Sequence, residues 1–331
     1  MQDIRADIPI AGDRITIGLI NNMPDAALRA TERQFQALVA ASPMGRQVRL
    51  RSFFLPDIPR SDRAWAYLHQ YHEPVADLWD SRVDGLIVTG TEPRTAALTD
   101  EPYWDSLAQV VDWAEDHTVS TIWSCLAAHA VVLHLHGVHR RRLDVKLSGI
   151  FACRQVQDHP ILADVPAAWR MPHSRQNGLP EGRLDALGYQ MLSLSDTAGA
   201  DVFIRQRGSL FVFFQGHPEY DRLALFREYR RDIRRFLSGE RDTYPDLPVG
   251  YFDAGTTEIL LAFRSQAMRQ RRATLLDTLP IDVVGVSLMH SWHDPAVRIF
   301  SNWLSYVAAH RPQYMPGSTC ASLGAQLPGS P

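Results

Sequence analysis

One cysteine, Cys125, stands where a strand pattern changes directly into a helix pattern. Residues Val119 to Trp123 are largely β-branched and apolar, whereas Leu126 to Leu135 are rich in alanine, with apolar residues at helical spacing. Such a corner presents one side chain at a helix N-terminus, where the helix dipole and free N–H groups favour a thiolate and can hold an oxyanion. Cys125 is therefore predicted to be an elbow nucleophile; the alternative is a buried cysteine packed as a small apolar residue.

A histidine and a glutamate, His217 and Glu219, follow a second apolar strand pattern that begins at Leu210. In extended chain they would point to the same side, with Pro218 stiffening the spacer. A carboxylate beside an imidazole fixes its tautomer and stabilises its charged form, so the pair could serve Cys125 as general base and orienting group. A metal-binding role for the pair lacks a convincing third ligand, because the other nearby histidines lie on or just after the elbow helix: His129, His134, His136 and His139.

Strand and helix patterns alternate along the chain and predict the α/β class, with a mostly parallel sheet between layers of helices. Strand patterns besides the one before Cys125 lie at Ile15–Ile20, Val48–Leu55, Asp84–Thr89, Tyr189–Leu194, Asp201–Gln206 and Leu210–Gln215. Helix patterns besides the elbow helix lie at Thr31–Ala41, Trp104–Trp113, Arg222–Leu237 and Phe300–Ala309. Ligands of such sheets bind beyond the carboxyl ends of the strands. Four loops are expected to meet there: Asn21–Asp25, Gly90–Thr95, Ser124–Cys125 and Gly216–Asp221.

Length and composition set the outer limits. The 331 residues are predicted to form a single α/β domain over 1–311, with a helical insertion at about 253–294 and a disordered tail at 312–331. Residues 158–177 give no clear pattern. The net charge of −3 argues against a nucleic-acid partner, and no apolar run is long enough to span a membrane. Three widely spaced cysteines and the lack of an apolar signal segment favour a cytoplasmic protein without disulfides.

Several short motifs resemble, in order and spacing, those of the cysteine-dependent homoserine O-succinyltransferase / O-acetyltransferase family. They are Asn22-Met-Pro24, Thr31-Glu32-x-Gln34-Phe35, Asp84-Gly-Leu-Ile-Val-Thr-Gly90, Tyr103-Trp104, Ser120-Thr121, Lys146-Leu-Ser-Gly149, Pro172-His-Ser-Arg175, Gly216-His-Pro-Glu-Tyr-Asp221 and Asn302-Trp-Leu-x-Tyr306. The resemblance implies a class I glutamine-amidotransferase-like, flavodoxin-like fold. It also implies ping-pong transfer of a succinyl or acetyl group from acyl-CoA to homoserine in methionine biosynthesis, and suggests a homodimer. Exchange of a thioester for an ester needs no metal or redox cofactor, so none is expected.

The resemblance further implies roles for single residues. Cys125 would carry the acyl group as a thioester, His217 would deprotonate the acceptor hydroxyl, and Glu219 would be the partner of His217. Three more residues fall where the family binds the amino acid: Lys146, Ser174 and Arg231. A guanidinium suits an α-carboxylate, although without the resemblance Arg231 reads as part of a solvated, arginine-rich helix face.

Some positions depart from the family pattern. Arg94 falls at the position that tunes acyl choice, where glycine goes with succinyl users and glutamate with acetyl users; an arginine could pair with a carboxylate and so favours a succinyl donor. The usual lysine after Met-Pro is replaced by Asp25, with Arg29 as a candidate substitute. The usual tryptophan and glutamine after the cysteine are Leu126 and His129. Three alternatives stay open: acyl transfer to serine or cysteine, a glutaminase-like hydrolase, and a non-catalytic ligand sensor.

Overall fold

The computed structural model describes residues 14–282, 284, 288 and 290–311, so the predicted tail at 312–331 lies outside the described residues. The strands are β1 (Ile15–Ile20), β2 (Val48–Phe54), β3 (Glu73–Pro74), β4 (Gly85–Val88), β5 (Ser120–Ser124), β6 (Arg141–Gln155), β7 (Ala168–Gly178), β8 (Gln190–Ser195), β9 (Gly199–Gln206) and β10 (Leu210–Phe214). The helices are α1 (Asp25–Ala41), α2 (Asp62–Tyr71), α3 (Ala76–Trp79), α4 (Trp104–His117), α5 (Leu126–His136), α6 (Glu181–Ala186), α7 (Ala224–Leu237), α8 (Ala254–Arg269) and α9 (His293–His310).

The strands form one sheet in the order β3-β2-β1-β4-β5-β10-β9-β8-β6-β7. From β3 to β10 all neighbours are parallel, and from β10 to β7 they are antiparallel. The segment β2-β1-β4-β5-β10 has the flavodoxin-like order, in which the chain reverses direction across the sheet between β1 and β4. The predicted α/β class is confirmed, with an antiparallel extension on one side.

Alternate residues of the central strands join different apolar clusters. Ile87 belongs to a cluster that includes residues of α1, α7 and α9, whereas its neighbours Leu86 and Val88 belong to a cluster with residues of α4 and α5. Because successive side chains of a strand point to opposite faces, the two clusters lie on opposite faces of the sheet. Helices therefore cover both faces, as the three-layer prediction requires.

Helix α1 begins earlier than the pattern indicated. The prediction placed a turn through Asp25 and a helix from Thr31, but the structure has helix from Asp25 onward. The carbonyl of Pro24 accepts the N–H groups of Ala27 and Leu28, at 2.8 and 3.0 Å, so the helix starts directly after the proline. Proline is favourable at this boundary because its own missing N–H has no helical partner to lose.

The strands β6 and β7 were not predicted, although they form the longest antiparallel pair of the sheet. The first part of β6, from Arg141 to Lys146, is charged and largely exposed, so it shows no apolar alternation. Its conformation depends on pairing with β7, which lies further along the chain. This pairing includes a register shift between Arg142 and Leu147. Local sequence patterns cannot report such a partner.

The segment predicted as a helical insertion contains α8 and a short 3₁₀ helix, Ala273–Thr278. Its residues Leu260, Phe263 and Leu275 are buried in the cluster that includes residues of α7 and α9. This segment therefore closes one side of the core. The bounds of the domain and of an insertion stay predictions.

A glycine in β6 is required by close approach of another backbone. Gly149 has φ +147°, and a Cβ there would overlap the backbone of Val249. The two segments are hydrogen-bonded on either side, from Ile150 N to Val249 O and from Val249 N to Ser148 O, both at 2.8 Å. We expect Gly149→Ala to lower the free energy of unfolding by about 2–3 kcal/mol, measured by urea denaturation.

The matched control for that substitution is Gly182→Ala in α6. Among the described residues, apart from its chain neighbours and its own helix backbone, no atom lies within 4 Å of a Cβ at Gly182. Alanine is the better helix former by about 1 kcal/mol at most. Gly182→Ala should therefore leave the unfolding free energy unchanged or raise it. Equal denaturation midpoints for the two variants would contradict the assigned role of Gly149.

Candidate active site

The strand-to-helix elbow predicted at Cys125 is present. Cys125 caps α5 directly after β5, with φ 51° and ψ −107°, in the left-handed region that L-residues rarely adopt. Its N–H donates to Phe214 O at 2.7 Å, because β5 and β10 are parallel neighbours with Ser124 opposite Phe214. Backbone strain of this kind persists at functional sites where the surrounding structure fixes it. The corner leaves Cys125 partly exposed rather than buried as a core residue.

His217 and Glu219 meet as predicted, but by a different backbone path. His217 Nδ1 lies 2.8 Å from Glu219 Oε1, and both residues are buried. The prediction assumed extended chain; instead, residues 217–220 form a turn in which Tyr220 N donates to His217 O at 3.2 Å. Pro218 has a fixed φ that favours such a turn. The pair is therefore held by a rigid corner just beyond β10.

The charge state of His217 is set by its neighbours. Burial lowers its pKa, but the negative charge of Glu219 and hydrogen bonds to Cys125 and Glu219 outweigh burial and raise the pKa well above the ordinary value. Since Nδ1 is engaged by Glu219, Nε2 is the nitrogen left to face the thiol. The structure thus brings the nucleophile, base and orienting group predicted from the sequence into one site.

The elbow also offers a place for an oxyanion. Leu126 is the first residue of α5, so its N–H has no partner within the helix. Gly90, in the loop after β4, approaches so closely that a Cβ there would lie 3.0 Å from Leu126 N and 3.3 Å from Ser124 O. The loop after β1 is tied to the same edge, since Asn22 N donates to Thr89 Oγ1 at 2.8 Å. A glycine at position 90 therefore keeps the approach to the elbow N–H open.

The three residues assigned to amino-acid binding converge on two carboxylates of α7. Lys146 Nζ lies 3.0 Å from Asp232 Oδ2 and 3.9 Å from Glu228 Oε2. Arg231 Nε donates to Asp232 Oδ1 at 3.0 Å, and the Ser174 hydroxyl donates to Glu228. Arg231 is therefore part of a half-buried polar cluster instead of a freely solvated face. A site with two cations, a hydroxyl and two carboxylates can contact every polar group of a small amino acid.

Glu228 and Asp232 were missed by sequence reasoning. They are one helical turn apart on α7 and so share a face, but arginines on both sides hid this acidic pair. Glu228 also accepts the hydroxyl of Tyr220, whose ring stacks on that of His217 at a centroid distance of 4.2 Å. The polar cluster on α7 and the His217 ring are thus joined through Tyr220.

Arg94 lies in the loop after β4 and is exposed. Its N–H and that of Thr95 donate to Glu101 Oε1 at 2.6 and 2.7 Å, and its guanidinium reaches Pro59 O at 3.5 Å. None of the hydrogen bonds or ion pairs among the described residues joins Arg94 to Cys125. A role for Arg94 in acyl choice stays a prediction.

A different arginine, Arg140, has Cys125 among the groups that affect its pKa. Burial lowers the pKa of Arg140, while the neighbouring Tyr103, Glu101 and Cys125 groups act in the opposite direction. Within the described part of the chain, the Arg140 guanidinium has no hydrogen bond or ion pair, and the buried Tyr103 Oη and Glu101 Oε2 are also unpaired. The sequence signal was a basic run, His139–Arg142, which was not singled out.

The departures near Met-Pro are explained by another arginine. The buried Arg60 donates to the carbonyls of Met23 and Asn21 and lies 3.3 Å from Asp25 Oδ1, so it fills the loop after β1. Arg29, the substitute suggested from the sequence, instead stacks over the ring of Tyr67 at 4.2 Å. Asp25 therefore belongs to a loop brace that the sequence pattern did not reveal.

His129 lies one turn into the elbow helix, beneath Cys125. Burial lowers its pKa to about 3, so the ring is neutral, and Nε2 lies 2.8 Å from Gln215 Oε1. This contact joins α5 to the residue that follows β10. His129 therefore supports the two strand ends that carry Cys125 and His217.

The sheet that carries Cys125 and His217 at the ends of two neighbouring parallel strands has the class I glutamine-amidotransferase-like fold. A solved glutamine amidotransferase from Methylobacillus flagellatus has the same fold, with a TM-score of 0.50 and 12% identity over 89% of this chain and 95% of that chain. Within that class, residues 4–314 match the family model "Homoserine O-succinyltransferase". The chain belongs to the homoserine O-succinyltransferase family.

Curated relatives agree with this assignment. A homoserine O-succinyltransferase of Rhodopseudomonas palustris is 50% identical over 295 residues, which cover 89% of each chain. Another, from Methylorubrum extorquens, is 47% identical over 303 residues, covering 89% of this chain and 88% of the relative. None of the described helices is long and apolar enough to cross a membrane.

Proposed function

We propose that this chain transfers a succinyl group from succinyl-CoA to the hydroxyl of homoserine, in methionine biosynthesis in the cytoplasm. The observation that carries the proposal is the strained elbow at Cys125, facing the His217–Glu219 pair, in a member of a family whose relatives are homoserine O-succinyltransferases. The polar cluster on α7 supplies a place for the amino acid. Exchange of a thioester for an ester by these residues needs no redox cofactor.

The first half-reaction makes an acyl-enzyme. The Cys125 thiolate attacks the carbonyl carbon of the acyl-CoA thioester, while the Leu126 N–H donates to the developing oxyanion. When the tetrahedral intermediate collapses, the C–S bond to CoA breaks. The raised pKa of His217 keeps the imidazolium beside the thiolate, where it can give its proton to the departing CoA sulfur.

The second half-reaction transfers the acyl group to the acceptor. His217, now neutral, removes the proton of the homoserine hydroxyl, whose oxygen attacks the Cys125 thioester. Arg231 and Lys146 hold the α-carboxylate, and Glu228 accepts from the α-ammonium. Collapse returns the thiolate and leaves the proton on His217, so the site is ready for the next acyl-CoA.

The proposal is tested with a matrix of acyl-CoA donors against amino-acid acceptors. Release of free thiol and product mass are measured for succinyl-CoA and acetyl-CoA, each with homoserine, serine, cysteine and no acceptor. We expect a stoichiometric burst of CoA without acceptor and fast turnover only with succinyl-CoA and homoserine. Ammonia release from glutamine without CoA release would favour a hydrolase, and binding without any turnover would favour a sensor.

Arg231 is expected to act on the acceptor alone. Replacing it with methionine removes a charged hydrogen bond to the α-carboxylate, so KM for homoserine should rise about 10- to 100-fold. The CoA burst should stay within about twofold of the wild type, because acyl-CoA reacts before the acceptor binds. Steady-state kinetics and rapid-mixing thiol detection measure the two effects separately.

The control is Arg234→Met on the same helix, since Arg234 pairs with Glu240 at the surface, at 2.9 Å. Its KM for homoserine should equal that of the wild type. If Arg231→Met slowed the burst as strongly as turnover, its role would be to support the whole site instead of the acceptor.

Arg140 is expected to help select the donor. Its unpaired guanidinium near Cys125 can hold the distal carboxylate of a succinyl group, so Arg140→Met should lower kcat/KM for succinyl-CoA about 10- to 100-fold. The smaller acetyl-CoA has no such carboxylate and should be affected little. Arg141→Met, at an exposed neighbour, is the control, and Arg94→Gly is measured alongside. An unchanged donor ratio in Arg140→Met, with a changed ratio in Arg94→Gly, would return the role to Arg94.

A further inference from the structure

Below the loop that carries His217, three buried side chains with metal-binding atoms converge from separate strands. They are Cys153 of β6, His173 of β7 and Asp201 of β9, each 2% exposed or less. The Cys153 sulfur, an imidazole nitrogen and a carboxylate oxygen lie within 4.8 Å of one another. At these distances, small changes of side-chain rotamer can bring all three atoms into contact with one ion.

Hydrogen bonding accounts for only some of the polar atoms of this cluster: the Cys153 thiol donates to Phe151 O at 3.8 Å, and Asp201 Oδ2 accepts from Ser193. Within the described part of the chain, His173 Nδ1, His173 Nε2 and Asp201 Oδ1 have no hydrogen-bond partner. Nε2 and Oδ1 are nevertheless only 3.3 Å apart. The nearby Arg175 directs Nη1 and Nη2 to the carbonyls of Asn177 and Ala198, and none of the ion pairs among the described residues joins it to Asp201. Buried polar atoms left unpaired are costly and rare in folded proteins.

If His173 is protonated, Nε2 and Oδ1 form an ion pair; a tetrahedral ion between them would produce the same distance with a neutral imidazole. Nitrogen and oxygen ligands at about 2.0–2.1 Å from zinc are separated by about 3.3–3.4 Å, and each then points at the ion and not at the other. Thiolate, imidazole and carboxylate are a donor set that zinc accepts. The thiolate and the carboxylate would together neutralise a divalent charge, so the loaded site could be buried without net charge.

We propose that Cys153, His173 and Asp201 form a structural binding site for a zinc-like divalent ion. On binding, the Cys153 thiol releases its proton to solvent, the sulfur, Nε2 and Oδ1 coordinate the ion, and water takes the fourth position. Ser193 Oγ donates to the other carboxylate oxygen of Asp201 at 2.9 Å and so orients this ligand. The sequence analysis expected no metal site, because sequence spacing cannot reveal ligands that are spread over three strands.

The location suggests what the ion would do. A Cβ at Gly216 would lie 2.6 Å from Asp201 Oδ1 and 3.1 Å from His173 Nε2, so the cluster packs directly beneath the residue before His217. His217 N donates to the carbonyl of Pro172, which precedes His173, at 2.8 Å. An ion would therefore fix the antiparallel half of the sheet to the loop that holds the general base, without touching the reacting atoms.

The test uses the full chain, from which bound metal is first removed with a chelator. The chain is then titrated with Co²⁺, whose thiolate complexes have a charge-transfer absorption band. We expect one Co²⁺ per chain with a sulfur-to-cobalt charge-transfer band, displaced by Zn²⁺, and a rise of a few degrees in Tm on adding Zn²⁺ to the stripped protein. The band should persist in Cys125→Ser and in Cys320→Ser, since the proposed site uses neither thiol. It should be lost in Cys153→Ala and weakened in Asp201→Asn.

Two results would overturn the site: no stoichiometric metal binding by the folded chain, or a band that survives Cys153→Ala and disappears in Cys125→Ser. Alkylation of Cys125 at the wild-type rate shows that the Cys153→Ala variant is folded. Should that variant not fold, the Asp201→Asn titration decides, with unchanged cobalt affinity counting against the proposal. Failure of this site leaves the acyl-transfer proposal intact, because no reaction step uses the ion.

Discussion

Replacing Cys125 with serine is expected to lower kcat for acyl transfer by a factor on the order of 10⁴ or more. Serine fits the same strained elbow, so the fold is kept, but its hydroxyl is far less acidic than a thiol and His217 cannot maintain it as an anion. The burst of free CoA in the absence of acceptor should disappear. Intact-mass spectrometry after mixing with succinyl-CoA should find the acyl adduct on the wild type alone.

The control is Cys153→Ala, which removes the other described cysteine. Burial raises the pKa of the Cys153 thiol, as does the neighbouring Asp201, so in the metal-free chain this thiol is not reactive. Its removal should leave the CoA burst and the acyl adduct in place. An adduct that maps to any peptide other than the one with Cys125, or full turnover by Cys125→Ser, would disprove the covalent scheme.

Removing the general base should have an effect of similar size. We expect His217→Asn to lower kcat by about 10⁴-fold or more and Glu219→Gln by about 10²- to 10⁴-fold, since the glutamate acts through the histidine. In Glu219→Gln, burial is no longer opposed by the carboxylate, so the pKa of His217 should fall. NMR titration of labelled histidine measures this fall directly, and turnover assays measure the losses of kcat. A wild-type pKa of His217 in Glu219→Gln would show that Glu219 is not its partner.

The same pair makes a prediction about stability. The pKa of His217 is raised in the folded state, whereas its unfolded pKa is about 6.5. Protonation of His217 therefore stabilises the fold, and this contribution is complete below the unfolded pKa. That contribution is lost as pH rises through the folded value. Urea denaturation at a series of pH values should therefore give unfolding free energies that converge for the wild type and Glu219→Gln at high pH. At low pH the wild type should have the higher unfolding free energy.

Much of the reaction centre could be predicted from the sequence because its signals are local. Cys125 lies between a strand pattern and a helix pattern, and His217 follows an apolar strand. The local pattern around each residue therefore predicts its position at the edge of the sheet. Topology then makes the two strands neighbours. What the motif His-x-Glu could not report was the turn at Pro218, because an extended path and a turn both bring these side chains together.

The supporting residues were missed for a different reason. Glu228 and Asp232 matter because Lys146 and Ser174 reach them from β6 and β7, and these strands were themselves invisible to local patterns. Arg60, which follows β2, holds the loop after β1 in place. Contacts of this kind are made by tertiary packing, and a single sequence contains no periodicity that records them.

In the proposed mechanism, the contact of Tyr220 with both His217 and Glu228 would tie the choice of acceptor to the protection of the acyl-enzyme. An acceptor bound at Glu228 would lie beside Tyr220, whose ring supports the imidazole that takes the acceptor's proton. A water molecule at Glu228 would lack the second polar group that places an acceptor hydroxyl beside His217. Hydrolysis of the thioester would then be slow by default and would not depend on a closing lid. The acyl-enzyme would then persist until an amino acid binds.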